Sequence, residues 1–312
     1  ISWGHFAHRF YSSYFAATHL STLKQATSET DGGVRAGRAL QVAYLGPEGT
    51  FAHLVAQKRY RGRAKLVPRE TIADVFDYVQ KTRGSVGVVP IENSSGGTIY
   101  DTVDELVKDT RHTSVVEELS IRVNLALIGH RGKPIKALYS HFAPMHHCDA
   151  WIRKNLPHVR RYEVSSTAAA ADMASRDPQA AALSTRGAAR RYSLDVLRYP
   201  VSQDTQNVTQ FFAIGRPKTP HPESRKTSLV VTLKNRPGSL YDFLQPFRGQ
   251  SVNLTRILSR PLMGHPNSYV FLIDIDGTPD DKPVDRALAE SQDMVHSLRI
   301  IGVYPVRKMY AS

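Results

Sequence analysis

From Leu40 onward, short apolar runs alternate with segments of helical period, and this alternation narrows the fold more than any other feature of the chain. Residues 41–45 form a strand-like run closed by Gly46-Pro47-Glu48-Gly49, a tight turn. Thr50 then stands as the N-cap of a helix reaching Tyr60. Ile72, Val75, Phe76 and Val79 recur at helical spacing over 72–82, and 85–91 reads as a buried strand. The pattern continues with helix 98–109, a strand-rich stretch 114–128 and a turn at 129–132. Strand 136–140, helix 144–155, strand 161–164, helix 167–175, strand 179–183 and helix 185–191 follow. Strands and helices alternating at this length imply parallel α/β units. Pro217, Pro220 and Pro222 break the pattern, so 216–225 reads as a stiff linker. Beyond it the order is strand, helix, strand, strand, helix, strand over 227–233, 240–247, 254–260, 269–275, 284–298 and 300–307, the βαββαβ order of a ferredoxin-like unit.

The 312 residues suffice for about two domains at roughly 150 residues each. Charge is the unusual part of the composition: 41 Lys and Arg stand against 28 Asp and Glu, a formal net of +13. Residues 119–198 carry 13 basic and 5 acidic side chains, whereas 42–118 carry 10 and 11. Arg153, Arg160, Arg161, Arg186, Arg190, Arg191 and Arg198 supply much of the surplus, which implies an anionic partner such as nucleic acid, acidic lipid or an anionic metabolite. No apolar stretch approaches the roughly 18 residues of a membrane span. The single Cys148 excludes an internal disulfide framework and a Cys-based zinc site. His146 and His147 are adjacent and point to different sides of a helix, so no metal is expected. Residues 1–28 hold Arg9, Lys24 and many Ser and Thr but no acid. The segment 1–41 therefore reads as an organellar targeting remnant or an N-terminal arm, with a mitochondrial location expected and a plastid as the alternative.

Several ordered motifs carry a family resemblance. Val42-Ala43-Tyr44-Leu45-Gly46-Pro47-Glu48-Gly49-Thr50-Phe51 resembles the opening motif of prephenate dehydratases. Gly87-Val88-Val89-Pro90-Ile91-Glu92-Asn93-Ser94 is similar to the second block, Ser140-His141 to the start of the third, and Ser166-Thr167-Ala168 to the fourth. Asn207-Val208-Thr209-Gln210-Phe211 sits where that family has its Thr-Arg-Phe motif. The resemblance continues into an ACT-type regulatory domain at 226–312. There Pro237-Gly238-Ser239-Leu240-Tyr241 resembles the Gly-Ala-Leu-Val loop, and Leu258-Ser259-Arg260-Pro261 the Glu-Ser-Arg-Pro motif.

The resemblance implies a two-lobed, periplasmic-binding-protein-like dehydratase region at 42–215, followed by the ferredoxin-like domain. Its lobes would be 42–118 plus 200–215, and 119–199. It implies loss of water and CO2 from prephenate without metal or organic cofactor. Thr209 would be the proton donor to the leaving hydroxyl. Gly49, Thr50, Glu92, Asn93, Ser94, Ser140, His141, Ser166, Thr167, Gln210 and Phe211 would line the substrate site. A dianionic substrate needs N–H groups, hydroxyls and a cation, and the residue types supply the first two. Thr50 and Thr167 read equally well as plain helix caps, and Glu92-Asn93-Ser94 as a strand-end turn. The resemblance further implies a regulatory amino-acid site formed by Pro237, Gly238, Ser239, Leu240, Asn253, Ser259, Arg260 and Pro261, and a homo-oligomer.

The sequence also departs from the family pattern. Gln210 replaces the arginine of Thr-Arg-Phe, and glutamine offers no permanent charge. Removing a charged partner from an anion site costs about 100-fold or more in kcat/KM if uncompensated. Phe142-Ala143-Pro144-Met145 replaces Pro-Gln-Ala-Leu, which would place a bulky ring at a substrate-facing turn. Leu258 and Tyr241 replace the family glutamate and valine, which weakens the expectation of phenylalanine feedback. Two readings follow: a dehydratase acting on prephenate or arogenate in phenylalanine synthesis, or a catalytically inactive member recruited into a large organellar assembly such as the mitochondrial ribosome. In the second, the basic lobe would contact RNA phosphates or acidic partners.

Overall fold

The computed structural model describes residues 39–108, 113–201, 207–216, 219–262 and 268–312. The acid-poor segment behind the organellar expectation thus lies, apart from its last three residues, outside the described residues.

The first lobe is built from β1 (Leu40–Leu45), α1 (Phe51–Tyr60), β2 (Ala64–Arg69), α2 (Ile72–Lys81), β3 (Val86–Asn93), β4 (Gly97–Thr98), α3 (Tyr100–Val107) and β5 (Ser114–Arg122). The second holds β6 (Ala126–Gly129), β7 (Ala137–Ser140), α4 (Phe142–His147), α5 (Asp149–Asn155), β8 (Arg160–Glu163), α6 (Thr167–Ser175), β9 (Ala180–Ser184), α7 (Arg186–Arg191) and β10 (Asp195–Arg198). The chain then returns to the first lobe as β11 (Val208–Gly215). The C-terminal domain comprises β12 (Lys226–Leu233), α8 (Ser239–Gly249), β13 (Leu254–Pro261), β14 (Tyr269–Asp276), α9 (Lys282–Ser291) and β15 (Val295–Tyr304), and β16 (Tyr310–Ala311) ends the described chain. The three sheets run β16-β5-β11-β3-β1-β2 with β4 beside β3, β10-β6-β9-β7-β8, and β13-β14-β12-β15.

Local chemistry explains these elements. Thr71 Oγ1 accepts from Asp74 N while Asp74 Oδ2 accepts from Thr71 N, both at 3.1 Å, a reciprocal cap that starts α2. The predicted apolar stripe Ile72, Val75, Phe76, Val79 is the buried face of that helix. β3 is apolar on both sides because it is covered on both. Val88 joins a core with α1, while Val89 and Ile91 join another with α2 and α3.

Several boundaries differ from expectation. β5 keeps the chain in the first sheet through Arg122, four residues past the predicted lobe boundary. The single helix expected at 144–155 is two, broken at Cys148. The helix expected to reach residue 298 ends at Ser291, and 295–304 is a strand because Val295, Ile300 and Val303 lie opposite β12 in a buried ladder. β2 had no sequence signal because Pro68 and its charged residues mask it. As the sheet's outer strand it tolerates both.

The C-terminal sheet is covered on both faces. Leu229, Val231, Ile273 and Ile275 pack with Phe243, Phe247, Val284 and Leu288 of α8 and α9. On the other face Val230, Val270, Leu272 and Tyr304 share a core with Phe76, Ile91 and Phe212 of the first lobe. The tail then runs back beside β5: Glu118 N donates to Pro305 O at 3.1 Å and Arg307 N to Glu118 O at 2.9 Å. Arg307 Nη2 and Arg59 Nη2 both reach Glu117 Oε1, at 2.7 and 2.6 Å. Burial opposes charge on Glu117, but the two guanidiniums outweigh it and hold its carboxyl below the usual range.

A depressed folded pKa contributes stability above the unfolded pKa and loses it as pH falls through the folded one. Glu117→Gln should therefore cost about 1–3 kcal/mol at pH 7 in denaturant unfolding. The gap from the parent protein should close toward pH 3.

Candidate active site

β1 and β3 are parallel, so their C-terminal ends, Leu45 and Asn93, reach the same edge of the first sheet. Antiparallel β11 starts at that edge with Asn207–Thr209, which brings together segments more than 100 residues apart. In the second sheet β7, β8 and β9 are parallel. Just past their ends stand His141, Ser166 and Thr185, each the cap of the helix that follows. The two edges face each other. Thr185 Oγ1 donates to Gly49 O at 3.2 Å, Arg191 pairs with Glu48, and Ser95 Oγ lies 3.0 Å from His147 Nδ1. A crevice at the carboxyl ends of strands is where open α/β sheets bind ligands.

Asn93 organises the first-lobe side. Its Nδ2 donates to Asn207 Oδ1 at 2.7 Å and to Thr209 Oγ1 at 2.8 Å. Its Oδ1 accepts from Ser95 N at 3.0 Å and Gly96 N at 2.7 Å. The two backbone donors fix which end of the amide is oxygen, so the NH2 must face Thr209. Thr209 Oγ1 is thereby an acceptor, and among the described residues no group takes its proton. Ser94 locks the same turn, its N donating to Val208 O at 2.9 Å and its Oγ accepting from Val208 N at 3.0 Å.

On the same lobe, after β1, Gly49 adopts φ +93°, the left-handed region where side chains are strained. A Cβ there would stand 3.9 Å from Ala168 and 4.0 Å from Ala188. Gly49 N donates to His53 Nδ1 at 3.1 Å, which requires a neutral imidazole, and burial lowers the His53 pKa accordingly. Thr50 caps α1 and donates to Leu45 O and Pro47 O at 3.2 and 3.0 Å, so its hydroxyl is engaged in the turn. His141 caps α4 through Nδ1, and burial lowers its pKa as well. Ser140 is fully buried with Oγ donating to His141 O, and Ser166 caps α6. Thr167 is buried, its carbonyl accepting from Ser184 Oγ at 2.7 Å.

Three expected substrate contacts lie elsewhere. Thr209, Phe211 and Ala213 share one face of β11, while Gln210, Phe212 and Ile214 share the other. Gln210 Oε1 accepts from Arg256 Nη2 of the C-terminal domain, and Glu92 also faces Arg256. Both are turned away from Thr209, so the missing arginine of Thr-Arg-Phe removes no cation from its face. Phe211 is 2% exposed, a core side chain beneath the site. Phe142 is 53% exposed, leans on the His141 ring and, with Ser95 and Gly96 of the first lobe, lines a cavity between the lobes. Sequence reading missed Asn207 and Thr185. Their signal was position alone, a polar residue beside a motif at a strand end.

In the C-terminal domain, Gly238 takes φ +83° before α8, next to Pro237 and the half-buried Leu240, and Ser239 Oγ donates to Lys234 O at 2.6 Å. Asn253 Nδ2 donates to Asp276 Oδ2 at 2.9 Å. Ser259 and Pro261 are exposed on the outer strand β13. Arg260 is turned to the first lobe, gripping Asp104 with two bonds of 2.6 Å.

Two facing α/β lobes, a return strand bearing a threonine hydroxyl, and a ferredoxin-like C-terminal domain define a binding-protein-like two-lobed region with an appended βαββαβ module. The family profile "Prephenate dehydratase" matches residues 42–219. A bifunctional chorismate mutase/prephenate dehydratase of Aquifex aeolicus (strain VF5) is 34% identical over 270 residues, 86% of this chain and 74% of that protein. An Arabidopsis thaliana arogenate dehydratase/prephenate dehydratase 2, chloroplastic, is 31% identical over 286 residues, 86% of this chain and 74% of its own. The crystal structure of prephenate dehydratase from Arthrobacter aurescens in complex with L-Phe superposes with a TM-score of 0.78 at 30% identity, covering 85% of this chain and 90% of that one. The chain belongs to the prephenate dehydratase family.

Asn93→Asp would replace the NH2 facing Thr209 with a carboxylate oxygen, which would take the hydroxyl proton. Activity should fall about 100-fold or more, with far-UV circular dichroism unchanged.

Proposed function

We propose that this chain catalyses the decarboxylative dehydration of prephenate to phenylpyruvate. The observation that carries the reading is the Thr209 hydroxyl, which accepts a hydrogen bond from Asn93 and keeps its own proton available. As the carboxylate carbon–carbon bond breaks, its electron pair enters the ring, the ring becomes aromatic and the C4 hydroxyl departs. Thr209 supplies the proton that makes it water and is reprotonated from solvent. Donation from Asn93 increases the acidity of the threonine O–H. The first-turn N–H groups of α1 and α6 are suited to the substrate carboxylates. Arogenate, with an amino group in place of the keto oxygen, fits the same scheme.

The arginine surplus that favours recruitment into an organellar particle is in part engaged within the chain. Arg153 and Arg161 share Asp149, Arg191 pairs with Glu48, and the Arg186 guanidinium lies 4.0 Å from the Tyr199 ring centroid. Asp149 is already counted in the balance of residues 119–198, so only the Arg191–Glu48 pair with the first lobe reduces the surplus; the dehydratase reading is preferred on the Asn93–Thr209 geometry. An organellar location rests on the composition of residues 1–28.

Purified protein given prephenate should form phenylpyruvate, followed by absorbance, at roughly 1–1000 per second. Thr209→Val should lower kcat about 100- to 10,000-fold. Absence of turnover with both prephenate and arogenate would overturn the reading and favour the structural role.

A further inference from the structure

Arg256 belongs to β13 of the C-terminal domain, yet much of what its side chain touches is in the first lobe. It is 8% exposed. Its Nη1 pairs with Asp274, whose Oδ1 accepts from Ser228 Oγ at 2.5 Å, and this buried anion fixes the guanidinium. The rest of the fork reaches outward. Nη2 donates to Gln210 Oε1 at 2.5 Å, Nε and Nη2 lie 3.4 Å from Glu92 Oε2, and the guanidinium carbon stands 5.2 Å from the Phe212 ring centroid.

Register shows why this matters. Gln210 is paired with Glu92, and the next pair along the ladder is Thr209 with Asn93. Just before these pairs the ladder shifts, because Pro90 faces Phe211 and β3 carries Ile91 as an extra residue. A bulge leaves its ladder locally weakened and its strand bent. The pair that bears the Asn93–Thr209 hydrogen bond therefore lies in a short stretch between this bulge and the Ser94–Val208 bonds that close the ladder. On the reverse face of that stretch, one guanidinium holds both strands.

We infer that Arg256 is a positioning residue for Thr209: from the C-terminal domain it clamps Gln210 and Glu92, and so sets the distance between Asn93 and Thr209 on the opposite face. The C-terminal domain is thus part of the scaffold of the site. The site already has its guanidinium on this face, reached from another domain, where relatives with Thr-Arg-Phe would carry one on β11.

The kinetic part of the test rests on the dehydratase reading, and the exchange part does not. Gln210→Leu leaves the Arg256–Asp274 pair intact, and Arg256→Met removes the clamp. Both should lower kcat about 10- to 100-fold, with KM within about threefold. Both should speed amide hydrogen exchange across 208–212 by about tenfold or more, and in Gln210→Leu, which keeps the Arg256–Asp274 pair, 229–233 and 270–275 should keep their protection. The exchanged pair Gln210→Arg with Arg256→Gln should recover most of both. Unchanged exchange at 208–212 in Gln210→Leu would overturn the inference, as would a raised KM at constant kcat or an exchanged pair no better than Arg256→Met. A parent protein without turnover would count against the dehydratase reading alone, and the exchange comparison would still decide the clamp.

Discussion

The carboxamide of Asn93 is the point on which the site depends. All four of its hydrogen-bonding positions are filled, two by backbone N–H groups of its own turn and two by side chains of the segment 207–209. A primary amide has a donor end and an acceptor end that cannot be exchanged here without losing both backbone N–H bonds. The turn after β3 therefore dictates the polarity seen by Thr209. That polarity is what separates a hydroxyl able to give up its proton from one that merely caps a strand.

Much of this was legible in the sequence, and the misses have a common cause. Periodicity marked α2 and β3 because each buries a face of one period. The motif residues Asn93 and Thr209 were recognised individually, but nothing in one dimension shows that β11 returns between β3 and β5. The strand alternation that puts Thr209 and Phe211 on one face puts Gln210 on the other. A motif reading treats the three as one substrate-binding unit, and the pleat divides them. Gln210 is informative only once Arg256 is known to stand behind it. The strand expected at 300–307 begins at Val295, and that first half was hidden for a similar reason: its partner β12 lies about 60 to 80 residues earlier, and local helical spacing could not report it.

Charge reads differently in three dimensions. Summed by segment, the second lobe looks like a surface awaiting a polyanion. In three dimensions several of its arginines meet carboxylates or an aromatic ring of the same chain. The segment sum already subtracts Asp149; what it misses is Glu48, which reaches Arg191 from the first lobe and offsets part of the field.

The order of strands in the first sheet also governs how the molecule is made. Its edge strand β16 and its inner strand β11 come from chain that follows, respectively, the C-terminal domain and the second lobe. A ribosome releasing the chain from its N-terminus delivers every strand of the second lobe before the first sheet can be completed. The second lobe can therefore close early, while β3 and β5 wait with open edges for β11. Until that strand arrives, Asn93 has no hydroxyl to face, and the Asn93–Thr209 pair can form only late in synthesis.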